Sequence, residues 1–133
     1  MREILFRGKR IDDGKWMRGL PCNNIYGALS IQPITEKCCA VIRPETVGQF
    51  TGLTDKNGKK IFEWDIVHCV SRTDEANMVV IFEDGEFRMV LCERYKDYIP
   101  GCGFYAIRCF DKEVIGNIHD NPELLGGEQD GNI

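Results

Sequence analysis

The chain has 133 residues, 43% hydrophobic and 29% charged, with 14 Gly, 5 Pro and a formal net charge of −4. That composition excludes a disordered chain and a collagen-like repeat, and the net negative charge argues against a protein that coats nucleic acid or anionic membrane through its overall field. A chain of this size buries enough surface to hold a core without staples, so the expectation is one domain over residues 1–125. The tail at 126–133, Gly-Gly-Glu-Gln-Asp-Gly-Asn-Ile, has almost nothing to bury and is expected to be flexible.

The first element is a hairpin. Glu3 to Arg7 and Lys15 to Arg18 flank Asp12-Asp13-Gly14, where Asp-Gly supplies the backbone a tight turn needs. Ile25 to Ile34 reads as a weak strand, and Cys38 to Ile42 as a short apolar run stopped by Pro44. Thr46 to Leu53 leads to Asp55-Lys56-Asn57-Gly58, the strongest hairpin signal in the chain, so its flanking strands are expected to pair. Ile66 to Val70 is a β-branched strand entering the core. Asn77 to Phe82 and Glu86 to Cys92 form a further hairpin across Glu83-Asp84-Gly85, and Phe104 to Phe110 is expected to pair with Glu113 to Ile118 across Asp111-Lys112. One short helical turn closes the chain, with Asn121 as cap, Pro122 at its first position, Glu123 in its first turn and Gly126-Gly127 as its stop.

The residues also carry a kinship. Phe6-Arg7-Gly8-Lys9-Arg10-Ile11-Asp12 with Gly14 and Trp16, the run Thr46 to Glu63, and Val114-Ile115-Gly116-Asn117-Ile118 with Asn121 to Leu125 resemble the YopX family of small proteins from bacteriophages and prophages. The resemblance covers nearly the whole chain. It implies a mainly β, SH3-like barrel or roll from about Thr46 onward, with an added N-terminal β-hairpin, and it carries over no catalytic residue. One position departs from the family pattern: Trp64 stands where a Gly is usual between Glu63 and Asp65. Glycine there suggests positive φ, so Trp64 implies a relaxed turn or a tolerated strain. As a large apolar body beside Ile66-Val67 it is expected to be buried or at an interface.

Chemical motifs are sparse. Seven cysteines (Cys22, Cys38, Cys39, Cys69, Cys92, Cys102, Cys109) form an odd set without paired-ligand spacing. The expectation is reduced thiols, no metal and no cofactor. Neighbouring strand residues diverge, so His68 does not serve Cys69 as a base. His119 is assigned only local hydrogen bonding. Carboxylate pairs sit in turns, and no phosphate-loop pattern occurs. No enzyme is expected.

The least ordinary feature is charge placement. Residues 1–20 carry Arg2, Arg7, Lys9, Arg10, Lys15 and Arg18 against Glu3, Asp12 and Asp13, a local +3 against −7 for the remainder. Arg7, Arg10, Lys59 and Lys60, together with Trp64, are the candidate binding residues. The favoured reading is a non-enzymatic phage or prophage accessory protein that works through protein contacts, as a homo-oligomer or with a phage or host protein. The alternative is nucleic-acid binding through the basic hairpin. No apolar run approaches the ~20 residues of a membrane-spanning helix, and no signal segment is evident, so the expected location is the cytoplasm of a bacterial host.

Overall fold

A computed structural model describes residues 3–34, 37–108 and 110–126. Arg2, Cys109 and the tail from residue 127 lie outside the described residues. The fold is mainly β and antiparallel, and divides into two compact units, Met1–Gly52 and Leu53–Ile133.

In the first unit β1 (Phe6–Lys9), β2 (Trp16–Asn23), β3 (Leu29–Gln32) and β4 (Ala40–Val41) follow in the sheet order β4-β3-β2-β1-β5, where β5 spans Gly48–Thr54. The Asp12-Asp13-Gly14 turn sets the register of the first hairpin, pairing Lys9 with Trp16 and Phe6 with Gly19. Gly19 is required by close approach: a Cβ there would lie 2.1 Å from the Gln32 carbonyl oxygen. Ile25 and Tyr26 do not begin a strand as the sequence suggested. The Asn24 side chain accepts the N–H groups of Tyr26 and Ala28, each at 2.9 Å, and this local alternative to a ladder leaves both residues on a turn. Leu5, Ile31, Ile42 and Phe50 are buried in this unit. Thr46, in a short 3-10 turn at Pro44–Thr46, accepts the Lys9 N–H at 2.9 Å.

In the second unit β6 (Lys60–Phe62) follows β5 across the Asn57-Gly58 turn. Next come β7 (Asp65–Val70), β8 (Glu75–Glu83), β9 (Glu86–Leu91), β10 (Phe104–Ala106) and β11 (Asp111–Asn117). The last five form an antiparallel sheet in the order β10-β9-β8-β7-β11. Both faces are buried, which is why β7 to β9 read as nearly continuous apolar runs. One face carries Ile61, Val67, Cys69, Met78, Val80 and Met89; the other carries Ile66, Val79, Ile81, Val90, Cys92 and Leu125. The β8–β9 turn is as expected, with Asp84 and Gly85 both at positive φ, +53° and +79°.

Phe104 to Phe110 does not pair with Glu113 to Ile118. Asp111-Lys112 is not a turn but the start of β11, which pairs with β7 in the register Asp111–Val70 to Asn117–Asp65, while β10 pairs with β9. One apolar residue of β11 is thereby delivered to the core: Val114 packs on the first face, while Ile115 is exposed. A bulge between Val114 and Gly116 lets the strand turn toward the C-terminal 3-10 segment, Pro122–Leu125. Asn121 does not cap that segment. Its side-chain oxygen instead accepts the Asn117 N–H at 3.2 Å, lying so close to Gly116 that a Cβ there would sit 2.4 Å from it. Because β10 and β11 end the sheet without meeting, no closed barrel forms among the described residues. None of the helical segments described is long and apolar enough to cross a membrane.

Asp55 ties the β5–β6 turn to β11. Its Oδ1 accepts Asn57 N–H and Lys59 N–H at 2.8 and 2.9 Å, and its Oδ2 accepts Val114 N–H at 2.9 Å. Burial alone would raise its pKa, but the N–H groups of Val114, Lys59 and Asn57 outweigh it and hold the carboxyl below its ordinary 3.8. A depressed folded pKa gives stability that is present above 3.8 and lost as pH falls through the folded value. Asp55→Asn puts an amide where Val114 needs an acceptor and is expected to cost about 2 kcal/mol in urea unfolding at neutral pH. The deficit should shrink below about pH 4, where the wild-type carboxyl also protonates.

Candidate functional site

The second unit's sheet ends differently at its two edges. At β11 the outward groups are already used: Lys112 C=O accepts Lys56 N–H at 3.0 Å, and Val114 N–H donates to Asp55. At the other end β10 is the last strand, and all three of its residues are exposed.

Side chains on both faces fix β10 in place. On one, Arg88 donates to Glu83 Oε1 at 2.9 Å and to Glu86 Oε2 at 2.7 Å, and its guanidinium lies 4.1 Å from the centre of the Phe104 ring. Tyr98 donates to the same Glu83 oxygen at 2.6 Å. That bond, with the Arg88 contacts, holds the Glu83 carboxyl below its usual range, and the bond itself pushes the Tyr98 hydroxyl up. On the other face the Tyr105 and Phe110 rings meet edge to face, 5.6 Å between centroids. The arrangement presents an aromatic edge. Cys69 and Cys92 are pushed up to about 11 by burial, so both stay protonated at neutral pH and neither is a thiolate nucleophile. The six described cysteines are free thiols.

The residues singled out from the sequence fall in both units. In the first, Arg7 is buried with its guanidinium 4.5 Å from the Trp16 ring centre, and Lys9 lies over the same ring at 5.5 Å. Arg10 donates to both Asp12 oxygens, at 3.1 and 3.0 Å, with Asp13 at 3.6 Å, so three side chains of one turn answer their own charges. In the second, Lys59 is exposed, Lys60 half-buried, and Trp64 half-buried against the Ile66, Val79 and Ile81 cluster. Trp64 has φ +77°, the glycine-like conformation that its position suggested. Its N–H donates to Val80 C=O at 2.8 Å and its C=O accepts Ile118 N–H at 3.0 Å, which hold the strain in place.

Sequence reading passed over Arg88, Tyr98 and Phe104. The available signal was an arginine inside the apolar run Phe87 to Leu91, sharing a face with Val90 and preceded by Glu83 and Glu86. His68 is a bonded strand residue: Nδ1 is 2.7 Å from Asn77 Oδ1 and Nε2 is 2.9 Å from Glu75 Oε1. His119 also takes part in local bonding, its N–H donating to Asn117 Oδ1 at 3.0 Å.

Fold and site thus define a mainly β protein of two antiparallel units with an aromatic sheet edge. The chain belongs to the YopX protein family, whose model matches residues 6–126. Among solved structures it is similar to the crystal structure of protein EF1440 from Enterococcus faecalis, at 22% identity and a TM-score of 0.53, covering 95% of this chain and 100% of that one. At that identity the likeness speaks for the fold alone. No curated protein matches the chain.

Two measurements test this geometry. Trp64→Gly relieves the left-handed strain while Trp64→Ala keeps it, so both variants lose stability to denaturant and the Ala variant loses about 1 kcal/mol more. Equal losses would contradict a positive φ at this residue. The Asn77 and then Glu75 contacts raise the His68 pKa above 6.5, so its NMR titration midpoint should lie above that value. The contribution of His68 to stability is full below 6.5 and is lost as pH rises through the raised value.

Proposed function

We propose that this protein is a non-enzymatic phage or prophage accessory protein that works by protein contact, self-association included, through the β10 edge of its second unit. The observation that carries this reading is the asymmetry of the sheet, with β11 covered by Lys56 and Asp55 while β10 is the terminal, exposed strand. An uncovered strand edge is a template for a further strand, and natural proteins blunt edges that are not used. Here the edge carries Phe104 and Tyr105, 38% and 40% exposed, instead of the lysines or prolines that discourage pairing. Absence of catalysis is supported by the protonated state of Cys69 and Cys92 and by the bonding of both His68 nitrogens. The strand order, with β7 between its successor β8 and the final strand β11, supports reading the second unit as an open SH3-like roll. Nucleic-acid binding through the basic hairpin is disfavoured by the contacts of Arg7 with Trp16 and of Arg10 with Asp12.

Analytical ultracentrifugation at micromolar concentration should show a species heavier than the 15.2 kDa chain. Ala106→Lys adds a charge to the edge, opposite Arg88 in the β9–β10 ladder, and is expected to give a monomer that circular dichroism still shows as folded β-sheet. A monodisperse wild-type monomer would overturn self-association.

A further inference from the structure

The β8–β9 hairpin determines which way the backbone groups of β10 point. Its loop is only Asp84 and Gly85, both at positive φ, and Glu83 faces Glu86, so that pair exchanges the hydrogen bonds that close a two-residue turn. Hydrogen-bonded pairs recur at every second residue, which puts Ile81–Arg88 and Val79–Val90 in the same class. Arg88 and Val90 therefore direct their N–H and C=O to β8, and Met89 between them turns both toward β10, where it faces Tyr105. By the same alternation Tyr105 bonds inward, and the N–H and C=O of Phe104 and Ala106 point out of the sheet. Among the described residues none of these four groups has a hydrogen-bond partner. The outward row is short: Gly103 at φ +70° and the turn that begins at Ile107 end it, and the Cys102 N–H already donates to Ile99 C=O at 3.0 Å.

A second copy of this edge complements it in one register. Antiparallel strands must set outward residues against outward residues, so a twofold axis passes at Phe104, Tyr105 or Ala106. Centred on Phe104 it sets Ala106 against Cys102, and centred on Ala106 it sets Phe104 against Arg108; neither Cys102 nor Arg108 lies in a strand, so two of the four outward groups on each chain stay unpaired. Centred on Tyr105, Phe104 of each copy faces Ala106 of the other, and every outward group is bonded. The side chains suit that register, with the Phe104 ring beside the Ala106 methyl, the two Tyr105 side chains abreast, and no charge set against another in the strand. A longer strand from an unrelated protein would run past Gly103 or Ile107 with its own groups unmatched, whereas a second copy brings the same three residues. We propose that β10 pairs with the β10 of a second copy, antiparallel about a twofold axis at Tyr105, joining the two five-stranded sheets into one. This pairing rests on the reading of β10 as a protein-contact edge and adds to it the partner and the register.

Amide hydrogen exchange of the full wild-type chain reads the register. At a concentration where sedimentation shows the dimer, the Phe104 and Ala106 amides should exchange about tenfold more slowly than in a sample diluted to monomer, while the Tyr105 amide, bonded to Met89, should change little. Cross-linking supplies a second reading, in a chain whose exposed thiols are removed by Cys38→Ser and Cys102→Ser. Residues paired at the axis stand about 4.5 Å apart between Cα atoms, within disulfide reach, so adding Tyr105→Cys should give a covalent dimer under diamide that the background chain does not give. Adding Ala106→Cys instead should give none, because the two copies of residue 106 are diagonal neighbours about 7–8 Å apart. A dimer whose Phe104 and Ala106 amides exchange as in the monomer, or one that Ala106→Cys cross-links and a folded Tyr105→Cys does not, would overturn this pairing and leave self-association standing. A wild-type chain that stays monomeric would overturn both.

Discussion

The second unit is held to its topology by one carboxylate. A hairpin such as β5–β6 has only local reasons to form, and a strand such as β11 must find β7 across some forty residues of chain, at an entropic cost that rises with the length of the loop it closes. Asp55 joins the two problems, because one of its oxygens completes the turn at Asn57 and Lys59 and the other receives the N–H of Val114. A buried acceptor with three N–H partners is satisfied only when turn and strand are both in place, which makes the register of β11 specific as well as favourable.

Arg88 plays a comparable part on the opposite flank. Arg88 is 7% exposed, and its buried charge would be costly alone, yet Glu83 and Glu86 answer that charge and Phe104 covers the guanidinium face. The same group therefore orients the short strand β10, which has only three residues with which to hold its ladder.

What could be read beforehand divides along the distance over which each cause acts. The Asp13-Gly14, Asn57-Gly58 and Asp84-Gly85 turns announce themselves because turn preference belongs to the residues in the turn. The glycine-like backbone at Trp64 was legible too, through the family's habit at that position. The partner of β11 was not, because Asp111-Lys112 has the local composition of a turn and only long-range packing of Val114 makes it a strand. The basic hairpin was half legible: its run of Arg and Lys stands in the sequence, but the register that sets Trp16 opposite Lys9 turned Arg7 and Lys9 from a charged surface into an aromatic stack. Asn121, an ordinary cap in sequence, was claimed instead by the nearby backbone of Asn117.

The unequal edges of the second unit also set a valence. A sheet with two open ends can add copies at both and grow without limit, the route to fibres. With β11 occupied by its own chain, the β10–β11 sheet has one open end, and an antiparallel pairing of two such ends consumes both. On the proposed reading, association through this surface would stop at two subunits about a twofold axis, and the loop at Asp55 and Lys56 would act as a terminator of assembly as much as a brace for the fold.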